Sequence, residues 1–430
     1  MGLTLAHRLA NHGQKVTIME AAPEIGGLAS AWQLGDIVWD RHYHVTLLSD
    51  LQLRTLLKEF QLENELRWRT TKSGFYCDGR LYPLNNAVDY LRLPVLNFWD
   101  KMRLAATILY GSKIEDGRPL ERIPVSDWLT RLSGRRVFER IWRPLLRAKL
   151  GENYKQTSAA FIWAVIRRLY AARRSGLKTE MFGYVSGGYA RILRNFEAML
   201  REDGVELQLG CRIQRVERRG GKMQVKTATG ERWFDQVVVT LASPLAAKIC
   251  VGLSDDEVAR LNGIVYQGII CASVLLRRPL AGHYVTYITD EAVPFTAVIE
   301  MSALVDRAEL GGHGLAYLPR YVTKDDPYWH LTDAEVEERF LDALLRMYPF
   351  LDQSDLMCVR VSRVPHVLAI STLSYSDRLP PMITTVPGLH IVNSAHIVNG
   401  TLNVNETVAL AEAAMPRLLA ARPRTFERAA

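Results

Sequence analysis

The first thirty residues constrain this chain more than any other stretch. Gly2 opens an apolar helical pattern through Leu3, Leu5, Ala6, Leu9 and Ala10, and Asn11-His12-Gly13 ends it, because glycine accepts the left-handed conformation that closes a helix. Lys15-Val16-Thr17-Ile18-Met19 reads as a short β-branched strand with Glu20 at its carboxyl end, and Ala21 to Ile25 lead into Gly26-Gly27. Helix, strand and terminal acid form the second half of a dinucleotide-binding βαβ unit, with the acid placed to hydrogen-bond a ribose hydroxyl. Gly2 then stands as the last glycine of G-x-G-x-x-G. The first strand and the first two glycines are expected upstream, as if translation started too far downstream; without them the chain is expected to bind the dinucleotide weakly or not at all.

Composition narrows the class. At 430 residues and 48% hydrophobic, the chain can bury two or three cores in one continuous fold. No apolar run reaches bilayer length; Val237 to Leu253 is broken by Ser243-Pro244 and Lys248. Five scattered cysteines without C-x-x-C fit reduced thiols in a cytoplasm and predict no metal site. Of the net +8, the stretch Arg135 to Lys178 carries twelve Lys or Arg against two acids, Glu139 and Glu152. Interleaved with Phe138, Trp142, Phe161 and Trp163, it reads either as a surface for an anionic partner, such as a peripheral membrane contact, or as a solvated helix face. No helix-turn-helix, zinc-finger or RNP pattern accompanies the charge, so nucleic acid is not expected.

Later segments follow a recognisable order. Hairpins are expected at Ala31–Asp40 and Phe75–Pro83, and residues 50–66 and 86–178 read as helical. Ser186-Gly187-Gly188 starts a helix that ends at Asp203-Gly204. The strand Val205 to Leu209, a meander from Cys211 to Thr240, strands from Ile269 to about Ile370, a helix at Asp333 to Met347, a strand at Gly388 to Asn393 and a last helix from Val408 to Leu419 come after it. The domain plan is 1–75 for the first part of the dinucleotide domain and 76–185 for a helical substrate insert. Residues 186–265 are its second part, 266–370 a substrate-domain sheet, 371–420 a return segment and 421–430 a tail.

With Glu20 followed by Gly26-Gly27 and this block order, the chain resembles the FAD-dependent amine oxidase, protoporphyrinogen oxidase and phytoene desaturase superfamily over essentially its whole length. The resemblance implies an α/β fold: a doubly wound FAD/NAD(P)-binding domain with a discontinuous α+β substrate domain. It implies FAD contacts at Gly2, Glu20, Gly26, Gly27, Leu28, Ala29, His44 and Ile213. At Asn405, Glu406 and Thr407 a helix N-terminus would favour the anionic reduced flavin. It also implies a small-molecule substrate oxidised by hydride transfer to flavin N5, the cofactor carrying the chemistry.

Three departures sharpen the reading. His42 in Asp40-Arg41-His42-Tyr43-His44 stands where many relatives carry glycine, which makes His42 and Tyr43 the catalytic candidates; the same loop is similar to that of UDP-galactopyranose mutase, an alternative acting on a nucleotide sugar. No lysine occurs between Lys248 and Lys324, which argues against simple amine oxidation, and Asn393-Ser394-Ala395-His396 lacks a glycine-rich turn. Basic and aromatic residues of the insert, Arg140, Trp142 and above all Arg143 and Arg147, point to a lipophilic, anionic substrate.

Overall fold

The computed structural model describes residues 1–85, 87–173, 181–398 and 400–421. The expected tail from 422 onward and the Lys178 end of the basic stretch lie outside the described residues.

The dinucleotide-type half is built from two parallel strand pairs. Thr17–Met19 runs beside Glu206–Gln208, and Val237–Val239 beside Leu389–Ile391. The two pairs are separate sheets, not hydrogen-bonded to each other. The helix Gly2–Asn11 ties this half together through two sides of its apolar stripe. Ala6 packs with Leu57, Phe196 and Leu200, whereas Leu5 packs with Val392 and Ala414 of the return helix Val404–Ala420. Gly13, at φ 74, closes the first helix by donating from its N–H to Ala10 O at 2.8 Å. A three-stranded antiparallel meander, Ile213–Arg219, Lys222–Thr227 and Glu231–Phe234, lies between the two strand pairs in sequence.

The other half is a seven-stranded mixed sheet in the order Leu356–Ala369, Tyr266–Leu276, Gly314–Val322, Ala297–Glu300, Val285–Ile288, Ser73–Cys77 and Arg80–Pro83. The strand Tyr266–Leu276, paired on both sides, is buried along all eleven residues. Alternation decides which neighbour each side chain meets. Ile270, Ala272, Val274 and Leu276 pack toward Phe340 and Leu344 of the helix Asp333–Met347, whereas Ile269, Cys271 and Leu275 face Trp39, Tyr317 and Met301. The second of these faces looks onto the loop after Ile37–Asp40, which brings residues 40–44 against the sheet.

Between the halves in sequence, the helices Phe98–Lys113, Val125–Ser133, Arg143–Leu150 and Ala159–Arg173 enclose a core of their own. Phe138, Trp142, Phe161 and Trp163 belong to that core. The expected surface of interleaved aromatic and basic residues is therefore not formed there: the rings point inward and the cations outward. Many of those cations are also paired, Arg136 with Asp100, Arg147 with Glu152 and Glu291, and Arg168 with Asp50.

Candidate active site

The carboxyl ends of the two parallel pairs carry the residues expected to hold a dinucleotide. Glu20 follows Met19 directly; its backbone N–H donates to Gln208 O at 2.9 Å and its Oε1 accepts the Ala22 N–H at 2.8 Å. No cation pairs with it among the described residues, so its second oxygen is free to accept from a ribose hydroxyl. Gly26 has φ 114, and a Cβ there would fall 2.5 Å from Leu193 Cδ1. Gly27 has φ 59, yet a Cβ on it would meet nothing within 4 Å. The first glycine serves the fold; the second leaves open backbone. Leu28 and Ala29 complete the short turn Gly27–Ala29, half-buried. Gly2 opens the first helix beside Thr240, whose Oγ1 lies 3.5 Å from a Cβ built on Gly2. Ile213 starts the meander strand next to a register shift and packs on its core.

The return helix begins earlier than the sequence pattern suggests, at Val404, because Asn403 caps it by accepting the Glu406 N–H at 3.0 Å. Asn405, Glu406 and Thr407 therefore sit in its first turn rather than in a preceding loop. Asn405 Oδ1 accepts the Leu53 N–H at 3.1 Å, tying this turn to the helix Leu51–Glu59, and Thr407 Oγ1 donates to Asn403 O at 2.8 Å. What this end offers a ligand is the backbone N–H groups of Val404 and Asn405, which have no partner within the helix, the Glu406 N–H being taken by Asn403.

The loop 40–44 is held from both sides. Asp40 is buried, and its Oδ1 accepts the Tyr189 N–H at 2.7 Å at the start of the helix Gly188–Glu202. A side chain on Gly188 would fall 2.7 Å from the same oxygen. Burial pushes the Asp40 carboxyl up to about 7. His42 has both ring nitrogens engaged: Nδ1 lies 3.2 Å from Leu28 O and Nε2 3.1 Å from Ser362 Oγ. A carbonyl can only accept, so Nδ1 carries the proton and Nε2 accepts from Ser362, whose Oγ accepts in turn from Arg41 Nε at 3.0 Å. Burial holds His42 down to about 4, and His44, donating from Nδ1 to His42 O at 2.9 Å, is held at about 4 by burial and by His42. Both imidazoles are neutral at ordinary pH.

Tyr43 turns to a seam that sequence reasoning missed. Its hydroxyl lies 2.9 Å from Tyr321 Oη, and Lys149 Nζ of the insert donates to that same Tyr321 oxygen at 2.5 Å while sitting 3.8 Å from the ring centroid. Burial first, and Tyr321 second, hold the Tyr43 phenol well above its ordinary value, so it stays protonated. Lys149 has no carboxylate within 4 Å among the described residues. Two residues on, Gly151 lies against Thr323 and Gln267, and Asn153 Nδ2 donates to Gln267 Oε1 at 3.1 Å. Gln267 is fully buried, and its Nε2 has no acceptor. Of the two arginines expected at the substrate, Arg147 is exposed in ion pairs with Glu291 and Glu152. Arg143 is half-buried with no carboxylate within 4 Å among the described residues. Of these, Lys149 lies in the basic stretch; Tyr321 and Ser362 come from strands 278 and 320 residues away from the loop they meet, and Gln267 lies 114 residues from Asn153.

The sequence profile of the flavin containing amine oxidoreductases matches residues 2–404. The chain belongs to that family. It is an FAD-dependent oxidoreductase with the α/β flavoenzyme fold. Among curated proteins none matches its sequence. Among solved structures it is similar to a provisionally named protoporphyrinogen oxidase from Exiguobacterium sp. 255-15, at 18% identity and TM-score 0.76, covering 97% of this chain and 96% of that one. It is similar to a putrescine oxidase bound to putrescine, at 16% identity and TM-score 0.73 over 97% and 96%, and to a reduced UDP-galactopyranose mutase, at 17% and 0.67 over 88% and 83%. The residues present fit the family's cofactor on two counts: the open left-handed backbone at Gly27 and the uncommitted oxygen of Glu20. Among the described residues no group of His, Cys, Asp or Glu is placed to hold a metal ion, and no helix is long and apolar enough to cross a membrane.

Proposed function

We propose that this flavoenzyme oxidises a lipophilic substrate carrying an acidic group, a carboxylate or a phosphate, docked at the seam between the helical insert and the seven-stranded sheet. One observation carries the reading. Lys149 is a half-buried cation whose hydrogen-bond partner is a neutral phenol, so it has no counterion of its own to displace when an anion arrives. FAD held by the chain would supply the hydride acceptor for a substrate C–H. The protein's part is to bind, orient and exclude water. In this reading Lys149 and Tyr321 hold the acidic group, and Ile269 and Val364 supply apolar wall on the same sheet face. Tyr43 stands at the reacting side as a protonated donor. His42, with no free ring nitrogen, positions the Leu28 carbonyl and the glycine turn rather than taking a proton. Arg143 is retained as a second anion contact, and Arg147 is not.

The test is anaerobic mixing of the holoenzyme with carboxylated, phosphorylated and neutral lipophilic compounds, read as loss of flavin absorbance. An acidic compound should bleach the flavin, and Lys149→Met should raise its KM by about 10- to 150-fold, the range for a lost hydrogen bond to a charged group, with kcat little changed. Lys149→Arg should restore most of the loss. Equal loss toward acidic and neutral compounds would remove Lys149 from substrate recognition. Turnover that requires reduced flavin without consuming it would favour mutase-type chemistry on a nucleotide sugar, to which the histidine-bearing loop also lends itself.

A further inference from the structure

The helix Phe98–Lys113 carries its apolar residues on the wrong side for a core. At about 100° per residue, Phe98, Leu109, Met102, Trp99 and Tyr110 fall on one arc of roughly 120°. All five are exposed, Trp99 at 74%. Val88 and Leu91 on the preceding helix Ala87–Arg92 are exposed as well. The opposite face does the packing: Leu104, Thr107 and Gly111 are buried, and a Cβ on Gly111 would come within 3.3 Å of Trp128 and 3.4 Å of Ile166. The helix is thus seated on the insert by the side that carries Leu104 and Gly111 and presents its aromatic side outward.

Most of the charge bordering this arc is basic, with Glu139 paired to Arg135 at 3.2 Å. Asp100, the helix's one acid, is buried and paired with Arg136 at 3.3 Å. Arg103 flanks the arc and lies against Gly134, its Nη1 3.0 Å from a Cβ built there. The next two residues are Arg135 and Arg136, at 86% and 61% side-chain exposure. Lys113 closes the far end.

We propose that this face is a docking surface for an anionic lipid bilayer, on which the protein rests without crossing it. Tryptophan, phenylalanine and tyrosine beside a basic edge suit the headgroup boundary, where the rings bury apolar area and each cation gains attraction from anionic lipid. A second copy of the chain fits less well, because a two-fold contact would set the arginine edge against itself. The surface stands on exposure and charge alone and holds for a flavoenzyme of any substrate.

Full-length holoprotein is sedimented with phosphatidylcholine vesicles, with and without phosphatidylglycerol, at low and high salt, while Trp fluorescence is followed. Wild type should bind the anionic vesicles and release them in salt. The surface variant Trp99→Ser with Met102→Ser should bind about tenfold or more weakly, given the apolar area lost. Arg103→Glu with Arg135→Glu should lose a similar factor toward anionic vesicles. Trp233→Ser, an exposed residue of the meander, should bind as wild type does. Flavin content and unfolding midpoint, unchanged in all variants, exclude misfolding. Wild type that ignores both vesicles overturns the proposal, as do a Trp99/Met102 variant that binds normally and a lipid-independent dimer that the same variant dissolves.

Discussion

Asp40 accepts the Tyr189 amide at 2.7 Å while His44 Nδ1 stands 4.0 Å from its other oxygen, so an acid and an imidazole share one buried corner and neither is charged at neutral pH without cost. Their titrations pull stability in opposite directions. Asp40 rises from 3.8 to about 7 on folding, so the native state takes up a proton and stability falls as pH rises through that window. His42 and His44 drop from 6.5 to about 4, so the native state sheds protons and stability falls as pH drops through that window. Asp40→Asn should keep the Tyr189 bond through its amide oxygen and remove only the first effect. Unfolding free energy above pH 7 should rise by about 1–3 kcal/mol, less than the full 1.36 kcal/mol per pKa unit because the new amide N–H₂ is unpaired. Below pH 4 no gain is expected, so the variant's acid slope is the steeper one. Parallel stability curves for the two proteins between pH 5 and 8 would count against this account.

His42 should not titrate near neutrality. Its ring resonances in NMR should stay those of a neutral, Nδ1-protonated imidazole from pH 8 down to about 5. Ser362→Ala removes the donor to Nε2 and should make the imidazole easier to protonate only if solvent enters. His42→Ala strands Leu28 O and the Ser362 hydroxyl, which should cost about 1–3 kcal/mol of stability and loosen FAD through the glycine turn. A His42→Ala protein as stable and as flavin-rich as wild type would leave the ring without a positioning role.

Glu20 is predicted to act on cofactor affinity more than on folding. Its side chain makes one local bond, to the Ala22 N–H, and no ion pair. Glu20→Ala should weaken FAD by about 1.5–3 kcal/mol, the range for a hydrogen bond to a charged acceptor, measured by flavin fluorescence titration. The apoprotein's unfolding midpoint should shift little. An unchanged Kd would place the ribose elsewhere.

How much of this could be read from the residues follows from the range of each interaction. The hairpin Ala31–Leu34 with Ile37–Asp40 and the helix Asp333–Met347 are legible because turn chemistry, capping by Thr332 and apolar period are local signals. The strand end at Glu20 and the left-handed turn at Gly26-Gly27 are legible for the same reason. The seam was not: Tyr43 meets Tyr321 and His42 meets Ser362 across some three hundred residues, and no spacing within either segment encodes that pairing. Lys149 was hidden among twelve cations, since charge alone does not tell a paired arginine from an unpaired lysine. The insert misled by the same ambiguity. Phe138 and Trp163 stand beside arginines in the sequence and are core, whereas Phe98 and Trp99 are exposed.

Gly26 and Gly27, adjacent and both left-handed, should separate folding from cofactor binding. At Gly26 a methyl group would meet Leu193 Cδ1 at 2.5 Å and Ser30 N at 3.2 Å, at a φ of 114 that L-residues avoid. Gly26→Ala should therefore lower stability by about 1–3 kcal/mol with or without FAD, from backbone strain together with the displaced leucine. Leu193→Ala, which removes the flexible obstacle, should recover part of that loss. At Gly27 the φ of 59 lies in the ordinary left-handed well and nothing stands within 4 Å of the new Cβ. Gly27→Ala should cost the apoprotein only about 1 kcal/mol, the usual left-handed penalty for alanine. Its effect on FAD should be larger, because a methyl there fills space through which the pyrophosphate must approach the backbone. The measurement is paired: thermal unfolding of the apoprotein and flavin affinity for each variant. Gly27→Ala that binds FAD as tightly as wild type would mean that the open space beside residue 27 is not where the cofactor lies.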